Sequence, residues 1–117
     1  MTSQDPSTTP ADRFREFALA LPEVEERETW GIPTFRIKDK MFASLSSDGT
    51  QASIKATHEE QDALTTLQPE TFKVAAYTGR FGWVSVDLTQ IDRDHLEDLL
   101  SNGWRRTAPK KLVARYK

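Results

Sequence analysis

Between residues 34 and 56 apolar and polar side chains alternate with period two about Asp48-Gly49, while the stretches before and after carry apolar residues at helical spacing. A chain with both periods has to pack helices against a sheet. Asp48-Gly49 favours a two-residue type I′ hairpin turn. Pairing outward from it sets Leu45 opposite Ala52 and Ala43 opposite Ile54, which agrees with the apolar pattern. For the preceding strand, a three-residue loop of Asp39, Lys40 and Met41 is expected, because it brings Phe35 and Ile37 beside Leu45 and Ala43. A one-residue slip would turn every side chain over. The opposite face then collects Arg36, Lys38, Phe42, Ser44, Ser53 and Lys55, a basic face with one aromatic.

Helix signals bracket this region. Thr9 suits an N-cap with Pro10 at the first helical position, and Phe14, Phe17, Ala18 and Leu21 follow at i, i+3, i+4 and i+7 before Pro22. The acidic run Glu23, Glu25, Glu26 and Glu28 reads as an exposed edge strand or an irregular link. Thr57 and Glu60 form a capping box for a helix through Leu64 and Leu67 that stops before Pro69. A turn-rich segment with Gly79 and Gly82 leads to a strand in which Val84, Val86 and Leu88 face one way and Trp83, Ser85 and Asp87 the other. Asp92 caps a helix with the stripe Leu96, Leu99, Leu100 and Trp104, and Pro109 separates it from a short helix anchored by Leu112, Val113 and Tyr116. The predicted fold is α+β: an antiparallel sheet with an N-terminal helix, one inserted helix and C-terminal helices packed on it. Residues 1–9 are expected to form a flexible tail and residues 10–117 a single domain.

Composition narrows the function classes. With no cysteine there is no disulfide framework, thiolate metal site or cysteine nucleophile, which fits a reducing cytoplasm. No apolar run approaches the ~20 residues of a membrane helix, and the first ten residues lack a signal-peptide core. A soluble cytoplasmic monomer is expected. His58 and His95 are not spaced as metal ligands, the glycines at 79 and 82 match no phosphate-loop pattern, and no serine sits in a nucleophile elbow. Glu59, Glu60 and Asp62 are ordinary complements to a helix N-terminus. No catalytic residue, cofactor or metal is therefore expected, and the chain is read as non-enzymatic.

Two constellations remain. The first is the sheet face bearing Arg36, Lys38, Phe42 and Lys55, joined by Arg80 and Trp83, since cations beside an exposed aromatic are what stacking and phosphate contact require. The second is the C-terminal set Arg105, Lys110 and Lys111, in a seventeen-residue stretch with six basic and no acidic side chains, within a chain of net charge −2. Both have a plainer reading. Helices would cover Phe42 and Trp83, and the C-terminal cations would pair with the glutamates at 23 to 28. Trp30 and Trp104 are expected in the core, Trp30 as a plug beside Gly31 and Pro33.

The order Leu21-Pro22, the acidic stretch, Trp30-Gly31-Ile32-Pro33-Thr34-Phe35, Lys40-Met41-Phe42-Ala43, Gly82-Trp83-Val84-Ser85-Val86-Asp87-Leu88 and Ala108-Pro109-Lys110-Lys111-Leu112 resembles the MmcQ/YjbR family over about residues 13–116. The resemblance implies a compact α+β domain of the double-wing DNA-binding kind, with a likeness to secretion-chaperone folds. It brings no catalytic residues. Weak DNA binding through the local basic surfaces is the expected function. The alternative is a protein-interaction or adaptor module that recognises an acidic partner.

Overall fold

The alternation about Asp48-Gly49 becomes the middle of one six-stranded antiparallel sheet in a computed structural model that describes residues 9–116. The strands are β1 (Glu25–Thr29), β2 (Ile32–Ile37), β3 (Lys40–Leu45), β4 (Gln51–Ile54), β5 (Phe72–Val74) and β6 (Val84–Asp87), in the spatial order β1-β2-β3-β4-β6-β5. The helices are α1 (Pro10–Ala20), α2 (His58–Leu67), α3 (Arg93–Thr107) and α4 (Lys110–Arg115). The predicted fold class holds. The expected tail, apart from Thr9, lies outside the described residues.

The three longer helices begin where their caps dictate. Thr9 and Asp12 form a reciprocal capping box on α1, Thr57 and Glu60 one on α2, and the Asp92 carboxylate accepts from the His95 amide at the start of α3. Helices α1, α3 and α4 cover one face of the sheet. Phe14 of α1 meets Phe35 of β2 edge to face at 5.2 Å. Leu96, Leu99, Leu100 and Trp104 of α3 are buried, and the Trp104 indole donates to the Pro22 carbonyl at 2.9 Å while its ring meets Tyr116 at 4.8 Å. The indole thus buries its body and satisfies its one donor.

The β3–β4 register is the expected one, Leu45 opposite Ala52 and Ala43 opposite Ile54, but the turn differs. Ser46 pairs with Gln51 around a four-residue loop, and only Gly49 (φ 75°) is left-handed, which rules out type I′. The Asp48 carboxylate accepts from the Ser46 hydroxyl and from the Thr50 amide and hydroxyl, and these bonds hold it below the usual carboxylate range.

The β2–β3 connection is corrected more deeply. Lys38 and Asp39, both left-handed (φ 52° and 68°), make a two-residue turn with Ile37 opposite Lys40, so the three-residue loop is absent. Phe35 then pairs with Ala43 and Arg36 with Met41, which leaves Phe42 as the extra residue of a bulge. Phe42 and Ala43 are consecutive, and both are fully buried. Phe42 is therefore a core residue and not part of the basic face. Burying a phenylalanine side chain gains roughly 1.5–3 kcal/mol, against the local loss of ladder pairing that a bulge entails. Two further expectations change. The turn-rich segment contains the short strand β5, whose Phe72 is buried, and Trp30 is 96 % exposed instead of plugging the core.

Two stability measurements check this arrangement. Phe35→Ala should cost about 3–5 kcal/mol in a urea titration, since the ring is fully buried against Phe14. Gly49→Val should lower stability by about 1–3 kcal/mol, because a β-branched residue is strained at positive φ and its Cβ would stand 3.1 Å from that of Ala11. An unchanged melt for either would contradict the packing or the turn.

A candidate binding groove on the uncovered sheet face

Because α1, α3 and α4 share one side, the alternation of the strands sends a second set of side chains to a face that no described helix covers. Cross-strand pairing lines up Thr34 with Ser44, Ser44 with Ser53, and Ser53 with Ser85. These small residues leave a groove of about 500 Å³, within the range of small-molecule sites, whose walls include Ile32, Met41, Trp83, Trp30 and Tyr77.

Trp30 and Tyr77 owe their exposure to unusual backbone. Trp30 and Gly31 (φ 57° and 79°) form the tight β1–β2 turn, which projects the indole into solvent. Tyr77 (φ 66°, ψ −54°) is the centre of a γ-turn closed by the Thr78 amide on the Ala76 carbonyl at 2.6 Å, and it is 94 % exposed. Such conformations cost on the order of 1–3 kcal/mol each and persist where their surroundings impose them. For Tyr77 the surroundings are visible. Nε2 of the buried Gln61 donates to the carbonyls of Gly79 and Trp83 at 2.7 and 2.8 Å, and a His58 ring nitrogen bonds the Arg80 carbonyl at 2.7 Å. At Gly82 a Cβ would come within 2.8 Å of the α2 backbone. The first turn of α2 thus holds residues 79–83, the segment that follows Tyr77.

Arg36 is half-buried at one end of the groove. Its guanidinium donates to the Thr34 hydroxyl at 3.1 Å, the Thr29 hydroxyl at 3.2 Å and the Asp39 carbonyl at 3.3 Å. Beside it, Arg27 takes the Asp39 and Glu25 carboxylates, and these two, Asp39 first, raise its pKa above the ordinary arginine value. By strand alternation the uncovered face carries Arg27, Arg36, Lys55 and Lys73 against Glu25 and Asp87. Four cations against three anions, counting the Asp39 carboxylate held by Arg27, leave this face slightly positive in a chain whose formal charge is −2.

The nine sequence-predicted site residues are divided. Arg36 lines the groove and Lys55 continues the same face by strand alternation, whereas Trp83 borders the groove as a buried ring, 7 % exposed, and not as the exposed aromatic expected. Lys38 sits in the β2–β3 turn, paired with Glu23 at 3.0 Å. Phe42 is in the core. Arg80 stacks over Phe81 at 4.9 Å in the 3-10 turn Thr78–Phe81. Arg105, over the Tyr116 ring at 5.1 Å, and the exposed Lys110 and Lys111 lie in the helical layer across the sheet. The glutamates at 23, 25 and 26 pair with Lys38, Arg27 and Arg15, whereas Arg106 pairs with Glu60. Sequence reasoning missed Trp30 and Tyr77. The Trp-Gly dipeptide at 30–31 was a usable turn signal, and nothing local marks Tyr77. Among the described residues, no group of three or more His, Asp or Glu side chains gathers to hold a metal, and no helix is long and apolar enough to cross a membrane.

Fold and groove together define an α+β protein built on a single antiparallel sheet, with helices on one face and, on the other, a groove with a small excess of cations around it. The YjbR family model matches residues 19–106, and the chain belongs to the YjbR family. Its structure is similar to the crystal structure of Deinococcus radiodurans protein DR2400, a DUF419 domain, with a TM-score of 0.76 and 22 % identity over 92 % of this chain and 84 % of that one. No curated protein matches this chain.

If the turn at Trp30 is strained as its φ implies, Trp30→Asn should raise stability by about 1 kcal/mol, because asparagine tolerates left-handed backbone and Asn-Gly is the favoured pair for such a turn. A lower urea midpoint would show that the indole contributes packing beyond what its 96 % exposure implies.

Proposed function

We propose that this protein is a non-enzymatic, cytoplasmic binding module that takes up single-stranded nucleic acid weakly across its uncovered sheet face. One observation carries the reading: two almost fully exposed aromatic side chains, Trp30 and Tyr77, border a groove on a locally positive surface. Bases stack on exposed aromatic rings at about 1–3 kcal/mol each, and cations along the groove track the phosphates. The described lining offers hydroxyls and one guanidinium but no histidine or carboxylate, which supports a binder over an acid–base enzyme. The absence of cysteine supports the cytoplasmic placement.

A second reading has its own support. The groove walls are largely apolar, which suits a protein segment in an adaptor.

Fluorescence anisotropy of labelled oligothymidine and of a duplex, at low salt, separates the two. Single strand should bind more tightly than duplex, and about three phosphate contacts predict a log–log salt slope of roughly −2, at ~0.7 per phosphate. Trp30→Ala and Tyr77→Ala should each weaken binding by about 1–3 kcal/mol, while Lys110→Glu with Lys111→Glu should leave it nearly unchanged. No saturable binding at tens of micromolar protein would transfer the assignment to the adaptor.

A further inference from the structure

Of the groove-lining side chains, Arg36 is the cation whose charge is left unanswered. Arg15, Arg27, Arg93 and Arg106 each have a carboxylate within 3.3 Å. Among the described residues Arg36 has none, and its three bonds all go to neutral oxygens. Glu25 is its direct neighbour in the β1–β2 register, yet the Glu25 carboxylate bonds Arg27, as does that of Asp39. Arg27 therefore draws off both nearby anions.

What remains is a half-buried guanidinium with its plane fixed from three sides. Of its five N–H groups, three are engaged and two are left. A fork held this way loses little freedom on binding a second partner, and its geometry matches the oxygens of a phosphate group. One of its anchors is the hydroxyl of Thr29, the residue that precedes Trp30, so the cation sits next to the turn that carries the exposed indole.

We infer that this end of the groove is a subsite for one nucleotide, with Arg36 binding the phosphate and the Trp30 ring receiving the base. The inference rests on the single-strand reading and names the unit that the groove recognises. Free nucleoside monophosphates should therefore occupy the subsite on their own.

The experiment follows tryptophan fluorescence while the wild-type protein is titrated with adenosine, AMP and inorganic phosphate, each also in competition with labelled oligothymidine. AMP should bind about tenfold more tightly than adenosine, on the scale of one charge-assisted hydrogen bond, and should displace the oligonucleotide. Arg36→Met should remove the difference between AMP and adenosine, and Arg36→Lys should restore part of it, since lysine keeps the charge and loses the fork. The wild-type comparison decides the matter even if Arg36→Met fails to fold. Equal binding of AMP and adenosine, or inorganic phosphate competing as well as AMP, would overturn the subsite while leaving oligonucleotide binding intact. Oligonucleotide that fails to bind would instead overturn the single-strand reading itself.

Discussion

Helix α3 lies so close to the sheet that Gly103 has no room to spare: a Cβ there would stand 3.2 Å from the Lys55 carbonyl and 3.6 Å from the Phe42 ring. The close approach to the Lys55 carbonyl favours glycine on the helix, and a large ring on the sheet packs beside it. The β3 bulge supplies the ring by turning Phe42 to the same side as Ala43. Trp104 follows directly and closes the core against Pro22 and Tyr116. Interiors are packed at crystalline density, so once Phe42, Phe35, Ile54 and Trp104 are interlocked, the large apolar side chains of the central strands are committed to one side. The other face is left with serines and threonines flanked by Ile32, Met41, Trp83 and a few long charged side chains, and a groove results.

The same division sorts charge. Helix starts attract carboxylates, so Asp12, Glu59, Glu60 and Asp94 sit in the first turns of α1, α2 and α3. The alternation of β1 sends Glu26 toward Arg15 of α1 and Arg27 to the uncovered face. A chain that is acidic in sum thereby presents a face with a small excess of cations, which a net-charge argument alone would miss.

Legibility in the sequence followed the range of the forces involved. Caps and periodicities are local, and Thr9, Thr57, Asp92 and the Leu45–Ala52 pairing were all readable. Three features were not read, two of them because they answer to distant partners. The bulged Phe42 turns its ring toward α3 at Gly103, sixty-one positions away. Trp30 looked like a core residue because large rings usually are, yet the two-residue turn at 30–31 turns it outward. Tyr77 takes its conformation from Gln61 and Gly82. For the site, Arg36, Lys55 and Trp83 followed from simple alternation, whereas Phe42 was misplaced by a parity rule that one extra residue defeats. The C-terminal cations were visible as a cluster, but only the packing of α3 and α4 shows on which side of the sheet they fall.

A sheet with one bare face is exposed to self-pairing at its free edges. Here β1 ends the sheet on one side with Glu25, Glu26 and Glu28 in five residues, and β5 ends it on the other with only three residues. Two copies meeting along β1 would set like charges against each other, and β5 is too short to template a growing ladder. The glutamates of β1 thus work against edge-to-edge pairing at the strand that leads into the exposed indole of Trp30.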